Sequence, residues 1–215
     1  MATSPSAVNL LPKQTKPSYH HGDLRRALLD ATVQLIEEQG LEAVSVREVA
    51  RRTGVSPGAP FRHFQNRTAL LSAVAEVAQE RLVQAVGESL RDDEKADPLQ
   101  KFRAIGIGFL RWAFANPTHF QVISARLEIE FDSPTLRDRN DELRATMNQL
   151  LSQATATGLL RPGDLSRYVL GGRALAYGLA RMHIDGQFPS WGIESANSLN
   201  ESIAVFDQFI ASISA

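Results

Sequence analysis

The stretch SVREVARRTGVSPGAPFRHF, residues 45–64, constrains the fold more than any other part of this chain. Val46, Val49 and Ala50 recur at helical spacing, while Arg47, Arg51 and Arg52 take other positions around the same helix. Ser45 and Glu48 form an S-x-x-E pair, which predicts a capping box that satisfies two orphan backbone donors at once. Gly54 permits a sharp turn, after which Val55 is expected to pack inward. A further short helix is predicted from residue 56 or 57 to 64, with Ser56 as N-cap and Pro57 as first residue. Pro60 fits only its first turn, because proline lacks an N–H and crowds the carbonyl of Ser56. Two short amphipathic helices about a glycine turn meet the needs of a helix-turn-helix, one helix bracing the phosphates and the other entering the major groove. The pattern points to DNA binding.

The flanking segments extend this reading. Residues 1–18, punctuated by Pro5, Pro12 and Pro17, read as a flexible arm. Residues 1–12 read equally as a tail without a role or as a basic arm reaching the minor groove. Residues 16–21 abut the first helix, and Lys16, Tyr19 and His20 are read as contacts. That helix is predicted over 23–39 from Leu24, Leu28, Ala31 and Leu35, with Asp23 at the positive end of its dipole and Gly40 as a left-handed stop. A long helix starts near Arg67 and carries Leu70, Leu71, Val74, Val77, Ala78 and Leu82 on one stripe to about residue 90. RDDEKADP, 91–98, is a charged break and the expected domain boundary. Helices are then predicted over 99–115, 118 to about 131, 135 to about 157, 164–185 and 194 to about 213. Alternating strand patterns and repeats are missing, so the chain reads as all-α: a helix-turn-helix unit over 19–72, a connecting helix, and a larger bundle over 98–215.

Charge is distributed to match. Residues 1–72 hold nine Lys/Arg and six Asp/Glu, a net +3, whereas 73–215 hold 14 and 18, a net −4. A basic front suits a polyanion and an acidic remainder does not. The chain has no cysteine, which excludes disulfides, thiolate metal sites and a cysteine nucleophile. No apolar run is long enough to span a bilayer, and no signal-peptide core is visible, so a cytoplasmic protein without membrane contact is expected.

Chemistry beyond DNA binding finds little support. His20 and His21 have no third ligand nearby, and no metal or cofactor is expected. His119 and His183 sit in apolar helical context, as core or pocket histidines. Glu128 and Glu130 are two apart and point to different sides of a helix. Nucleophile elbow, phosphate loop and zinc spacing are all missing, so an enzyme is not expected. A rival of another class is an all-α small-molecule binder whose front helices only scaffold.

The run YHHGDLRRALLDATVQLIEEQG, continued by VSVREVARRTGVSPGAPFRHFQNRTALL, resembles the N-terminal domain of TetR-type transcriptional regulators over residues 19–72. Phe61 stands where that family commonly has tyrosine. The resemblance implies that Ser45 and Arg47 meet phosphates. It implies that Pro57, Gly58, Ala59 and Arg62 face the groove, that Phe61 and His63 pack on or bond to the backbone, and that Arg67 anchors a phosphate. It further implies a rear bundle that binds a small effector and forms a homodimer on operator DNA, most simply as a repressor. Candidate lining residues are Phe102, Phe109, Trp112, Phe120 and Ile123, together with Leu127, Met147, Arg173 and Tyr177. Within LGGRALAYGLARMHIDG, Arg173 and Tyr177 replace the Trp and His usual in a subgroup of the family. Arg173 reads either as an exposed or rim arginine or as the partner of an acidic group on the effector. The last two helices are the expected dimer surface, through Gly171, Gly178, Met182, Phe206, Phe209 and Ile213. There Gly171, Gly172 and Gly178 would allow close approach.

Overall fold

The computed structural model describes residues 21–91 and 95–215, and the expected contacts Lys16, Tyr19 and His20 lie outside them. Eight α-helices are found among the described residues: α1 His21–Gln39, α2 Val46–Arg52, α3 Arg67–Arg91, α4 Pro98–Ala115, α5 Pro117–Ser124, α6 Pro134–Ala156, α7 Leu165–Ile184 and α8 Ser198–Ile213. Their starts follow local chemistry. Proline opens α4, α5 and α6, where its missing N–H costs nothing. Asp97 accepts from Gln100 N at 2.8 Å and Asp164 from Ser166 N at 2.9 Å, capping α4 and α7. The chain is all-α, with only an isolated bridge between Leu160 and Ser214 among the described residues.

Two apolar cores organise the helices. The front core joins Leu28, Leu35, Val49 and Phe64 to Leu70, Leu71 and Val74 of α3. The rear core starts at Ala78 and Leu82 of the same helix and gathers Phe102, Leu110, Phe120, Leu151 and Phe206. The helical break does fall before α4, but the seam between cores lies inside α3, between Ala75 and Ala78. Val122, Ile129 and Leu136, all beyond the expected boundary, belong to the front core. A single 25-residue helix therefore couples both halves.

Three local expectations change. Gly40 has φ 84° and ψ 169°, a glycine-favouring region but not the left-handed helical one. The segment after α5 leaves the helix at Ser124 and runs as turns through 125–132, where a helix to about 131 was expected. It is pulled out by tertiary contacts: Ile129 is buried in the front core and Glu130 N donates to Ser72 Oγ at 2.8 Å. The third short helix, expected over 56–64, is only a 3-10 turn at Pro60–Arg62. Pro60 cannot donate to Ser56, so Ala59 N bonds the Ser56 carbonyl at 3.0 Å instead, and one α-type bond remains, Phe64 N to Pro60 O at 2.9 Å.

Candidate functional site

The reading head is α2 with the segment 57–63, packed on α1. Ser45 caps α2, its Oγ accepting from Glu48 N at 3.1 Å. The reciprocal half of the capping box is not formed, because the Glu48 carboxylate is taken by arginines. Arg51 donates to it at 2.9 and 2.6 Å and Arg52 at 3.3 Å. The Arg51 hydrogen bond is the main cause that lowers the Glu48 pKa to about 2. Arg52 also reaches Glu38 of α1 at 2.8 Å. Arg51 and Arg52 thus brace the head.

Other head residues are left free to meet a ligand. Arg47 and Arg62 are exposed and have no ion-pair partner among the described residues. Ser45, Pro57, Gly58 and Phe61 are exposed too, Phe61 by 46%, while Ala59 and His63 are half-buried. Val55 is half-buried, and Phe64 turns into the core beneath the Arg25 guanidinium, 5.6 Å from its ring centre. Gly54, at φ 68°, makes the turn that only glycine adopts cheaply. From residue 49 to residue 75 the chain contains Arg51, Arg52, Arg62 and Arg67 and no acid. A surface of this sign attracts phosphate.

Arg67 departs from the expected phosphate anchor. Its Nε donates to the Val44 carbonyl and its Nη2 to the Leu41 carbonyl, each at 3.0 Å, and its Nη1 pairs with Glu128. The guanidinium is spent on holding the head to the 125–132 turns. Sequence spacing offered no sign of this, since Glu128 lies 61 residues away.

A cavity of about 260 Å³ opens between α3, α5, α6 and α7. Phe109, Phe120, Ile123, Arg173 and Tyr177 line it, as expected. Met147 lines an adjoining groove of about 390 Å³, and Phe102 a small apolar recess behind Arg173. Trp112 is buried in the rear core and lines none of these, and Leu127 is 100% exposed on the turn after α5. The lining also includes Gln79, Ser124, Arg126, Phe131, Arg139 and Asn140, which periodicity did not single out. Leu127 was expected in the lining from a helix running to about 131; because α5 ends at Ser124, the turn that follows brings its neighbour Arg126 to the cavity instead. Arg173 is neither exposed nor at a rim: it is half-buried, 5.2 Å from the Phe109 ring centre, and burial lowers its pKa.

The expected dimer residues divide. Phe206 and Ile213 are 1% and 3% exposed, and Gly171 lies against Phe209 of the same chain. All three are turned inward within one subunit, Phe206 against Gly106 of α4 and Gly171 against α8. Gly178 faces open space, and Met182 and Phe209 are half-buried against the rear core. Facing outward instead are Leu170 and Ala174 on α7 and Val205 on α8.

His119 is buried and accepts from Arg81 at 3.0 Å, and His183 stacks on Phe114 with ring centres 3.9 Å apart. No group of three or more metal-ligating side chains occurs among the described residues, and no described helix is long and apolar enough to cross a membrane.

Comparison with known proteins adds to this geometry. Residues 28–74 match the model of bacterial regulatory proteins of the tetR family, and residues 102–206 match a tetracycline repressor-like C-terminal domain. The nucleoid occlusion factor SlmA of Vibrio campbellii is 28% identical over 140 residues, covering 65% of this chain and 70% of that protein. A Rhodococcus sp. RHA1 protein of unknown function superposes with a TM-score of 0.75 at 26% identity, covering 93% of this chain and 100% of the other. The ketosteroid transcriptional regulator of Mycobacterium tuberculosis shares the fold at a TM-score of 0.65 and 18% identity, over 89% and 95% of the two chains. With its arginine-rich head and helical rear bundle, this chain belongs to the TetR family and is a DNA-binding regulator, not an enzyme.

Proposed function

We propose that the protein is a homodimeric repressor released from operator DNA by a small molecule held in the rear cavity. The observation that carries this reading is the shared framework between head and cavity. Arg67, Val44 and Leu41 hold the head to Glu128, and Arg126, two residues before Glu128, lines the cavity. The same α3 supplies Arg67 to that tether and Gln79, Leu82 and Val83 to the cavity. A ligand that resets the 125–132 turns or tilts α3 therefore moves the head. Its effect is bounded by its differential affinity for the two arrangements.

Two heads need a fixed separation. Successive major grooves lie roughly 34–36 Å apart, so a small tilt in each subunit breaks the match. The surface we assign to dimerisation is the outward stripe of α7 and α8, with Leu170, Ala174 and Gly178 at four-residue spacing beside Val205. Small residues there permit close helix approach.

Gel shift against the promoter DNA flanking its own gene tests the reading, with sizing chromatography for the dimer. Binding lost on Arg62→Ala supports it. Unchanged operator affinity in that variant returns the protein to the class of ligand binders with scaffolding front helices. A second reading follows the similarity to nucleoid occlusion factors. Genome-wide mapping separates the two: a few sites beside regulated genes fit a repressor, and sites dispersed over the chromosome fit the other.

A further inference from the structure

We propose that the rear cavity takes an organic anion, a carboxylate or phosphate monoester on an apolar body, with Arg126, Arg139 and Arg173 receiving the charged end. The assignment rests on the effector reading above and names the chemical class of the effector. Three guanidinium groups line the cavity and no aspartate or glutamate does. None of the three has an acidic partner within ion-pair distance among the described residues. Arg103, by contrast, is paired bidentately with Asp207 at 2.5 and 2.8 Å.

This convergence is costly without a ligand. Arg139 and Arg173 are half-buried and Arg126 is exposed, and the ring faces of Phe131 under Arg126 and Phe109 under Arg173 replace only part of the lost hydration and supply no counter-charge. Burial pulls both the Arg173 and the Arg126 pKa down, and for Arg126 the charge of Arg173 adds to it. Tyr177 and, after it, Asp132 offset part of this at Arg126. Arginine nevertheless stays charged and presents a planar fork suited to carboxylate or phosphate oxygens.

The rest of the lining specifies the remainder of the ligand. Phe109 and Phe120 meet edge to face at 6.0 Å between ring centres, and Phe120 and Tyr177 lie at 5.3 Å, forming an apolar wall. Two polar atoms on the lining are buried with no hydrogen-bond partner: Gln79 Oε1 and Ser124 Oγ. Gln79 Nε2 donates to the Leu136 carbonyl at 3.0 Å, which fixes the amide and leaves Oε1 to accept from whatever enters. A volume of about 260 Å³ lies below the range of about 300–1,000 Å³ typical of drug-sized ligands, so the anion is small.

Calorimetry on the full chain with octanoate, octyl phosphate, 1-octanol and inorganic phosphate tests the assignment. The expected result is that octanoate or octyl phosphate binds about tenfold or more tighter than 1-octanol, as loss of a charge-assisted pair implies. Arg173→Met and, at the more exposed position, Arg126→Gln should bring the anion to the affinity of the alcohol. The tighter of the two anions names the headgroup. Equal binding of 1-octanol, a preference that survives both substitutions, or no binding by either octyl anion overturns the anion assignment and leaves the effector reading standing. Inorganic phosphate binding as tightly as the octyl anions removes the apolar body from the proposal. Anion binding that leaves promoter DNA affinity unchanged sinks the effector reading and keeps the site.

Discussion

The head and the rear bundle both use arginine, and they use it in opposite ways. In the head, Arg51, Arg52 and Arg67 are tied to Glu48, Glu38 and Glu128, and this bracing leaves Arg47 and Arg62 exposed on a rigid base. In the rear cavity Arg126, Arg139 and Arg173 converge with no acid in the lining. The first arrangement suits an extended polyanion that lies across a surface. The second suits a small charge that must be enclosed. A residue's type does not settle its role; the charges placed within a few ångströms of it do.

The sharpest way to break the contrast is Arg62→Ala. Loss of specific operator binding with little change in melting temperature is expected, because the side chain is exposed and unpaired. A bidentate base contact is worth about 1–3 kcal/mol of discrimination per half-site, and a dimer makes it twice. Gel shift with operator and scrambled DNA checks it, and equal affinity of variant and parent rejects a reading role.

Arg67→Met should weaken the protein in another way. It strips two carbonyls and Glu128 of their donor, at a cost of about 1–3 kcal/mol in chemical denaturation. The salt dependence of DNA binding should keep its slope, since Arg67 is committed to protein groups. A slope reduced by about 0.9 per lost contact would restore Arg67 as a phosphate ligand.

Gly106→Ala moves the lesion into the rear core. A methyl there overlaps the Phe206 ring, which is 1% exposed and has nowhere to go. Overpacking of this kind costs about 1–3 kcal/mol. A lower unfolding midpoint with an unaltered salt slope is expected, and an unchanged midpoint would mean that α4 and α8 separate more easily than their packing suggests.

The smallest effect concerns pH. Burial, and secondarily the Arg81 charge, lower the His119 pKa below 6.5, while Glu37 and Asp30 oppose this. The folded value lies below the unfolded one, so the unfolded chain binds more protons between them. Stability is lost as pH falls from 6.5 through the folded value, and it rises with pH across that window. His119→Gln should flatten the acid limb of a melting-temperature profile there, and an unaltered limb excludes His119 as its source.

Much of the fold was legible. Apolar stripes, Gly54, the Ser45 cap and prolines at helix starts located α1, α2, α3, α4 and α7 within a few residues, since each signal acts within one or two turns. Much of the head was legible for the same reason. The cavity was half legible: Phe109, Phe120, Ile123, Arg173 and Tyr177 were marked by type, but nothing in the local pattern singled out Arg126 and Arg139. Phe206 and Ile213 were read as interface because periodicity reveals an apolar face without saying what covers it.

On its own, the order of residues determined the helical class, the capped helices and a basic front, since propensity, capping and net charge are local properties. Three-dimensional packing alone decided that Arg67 points at Glu128, that the ARLEIEFD segment unwinds, and that arginines at 126, 139 and 173 share one cavity. Each of these depends on groups brought together from distant parts of the chain, where burial and Coulomb interactions override local preference.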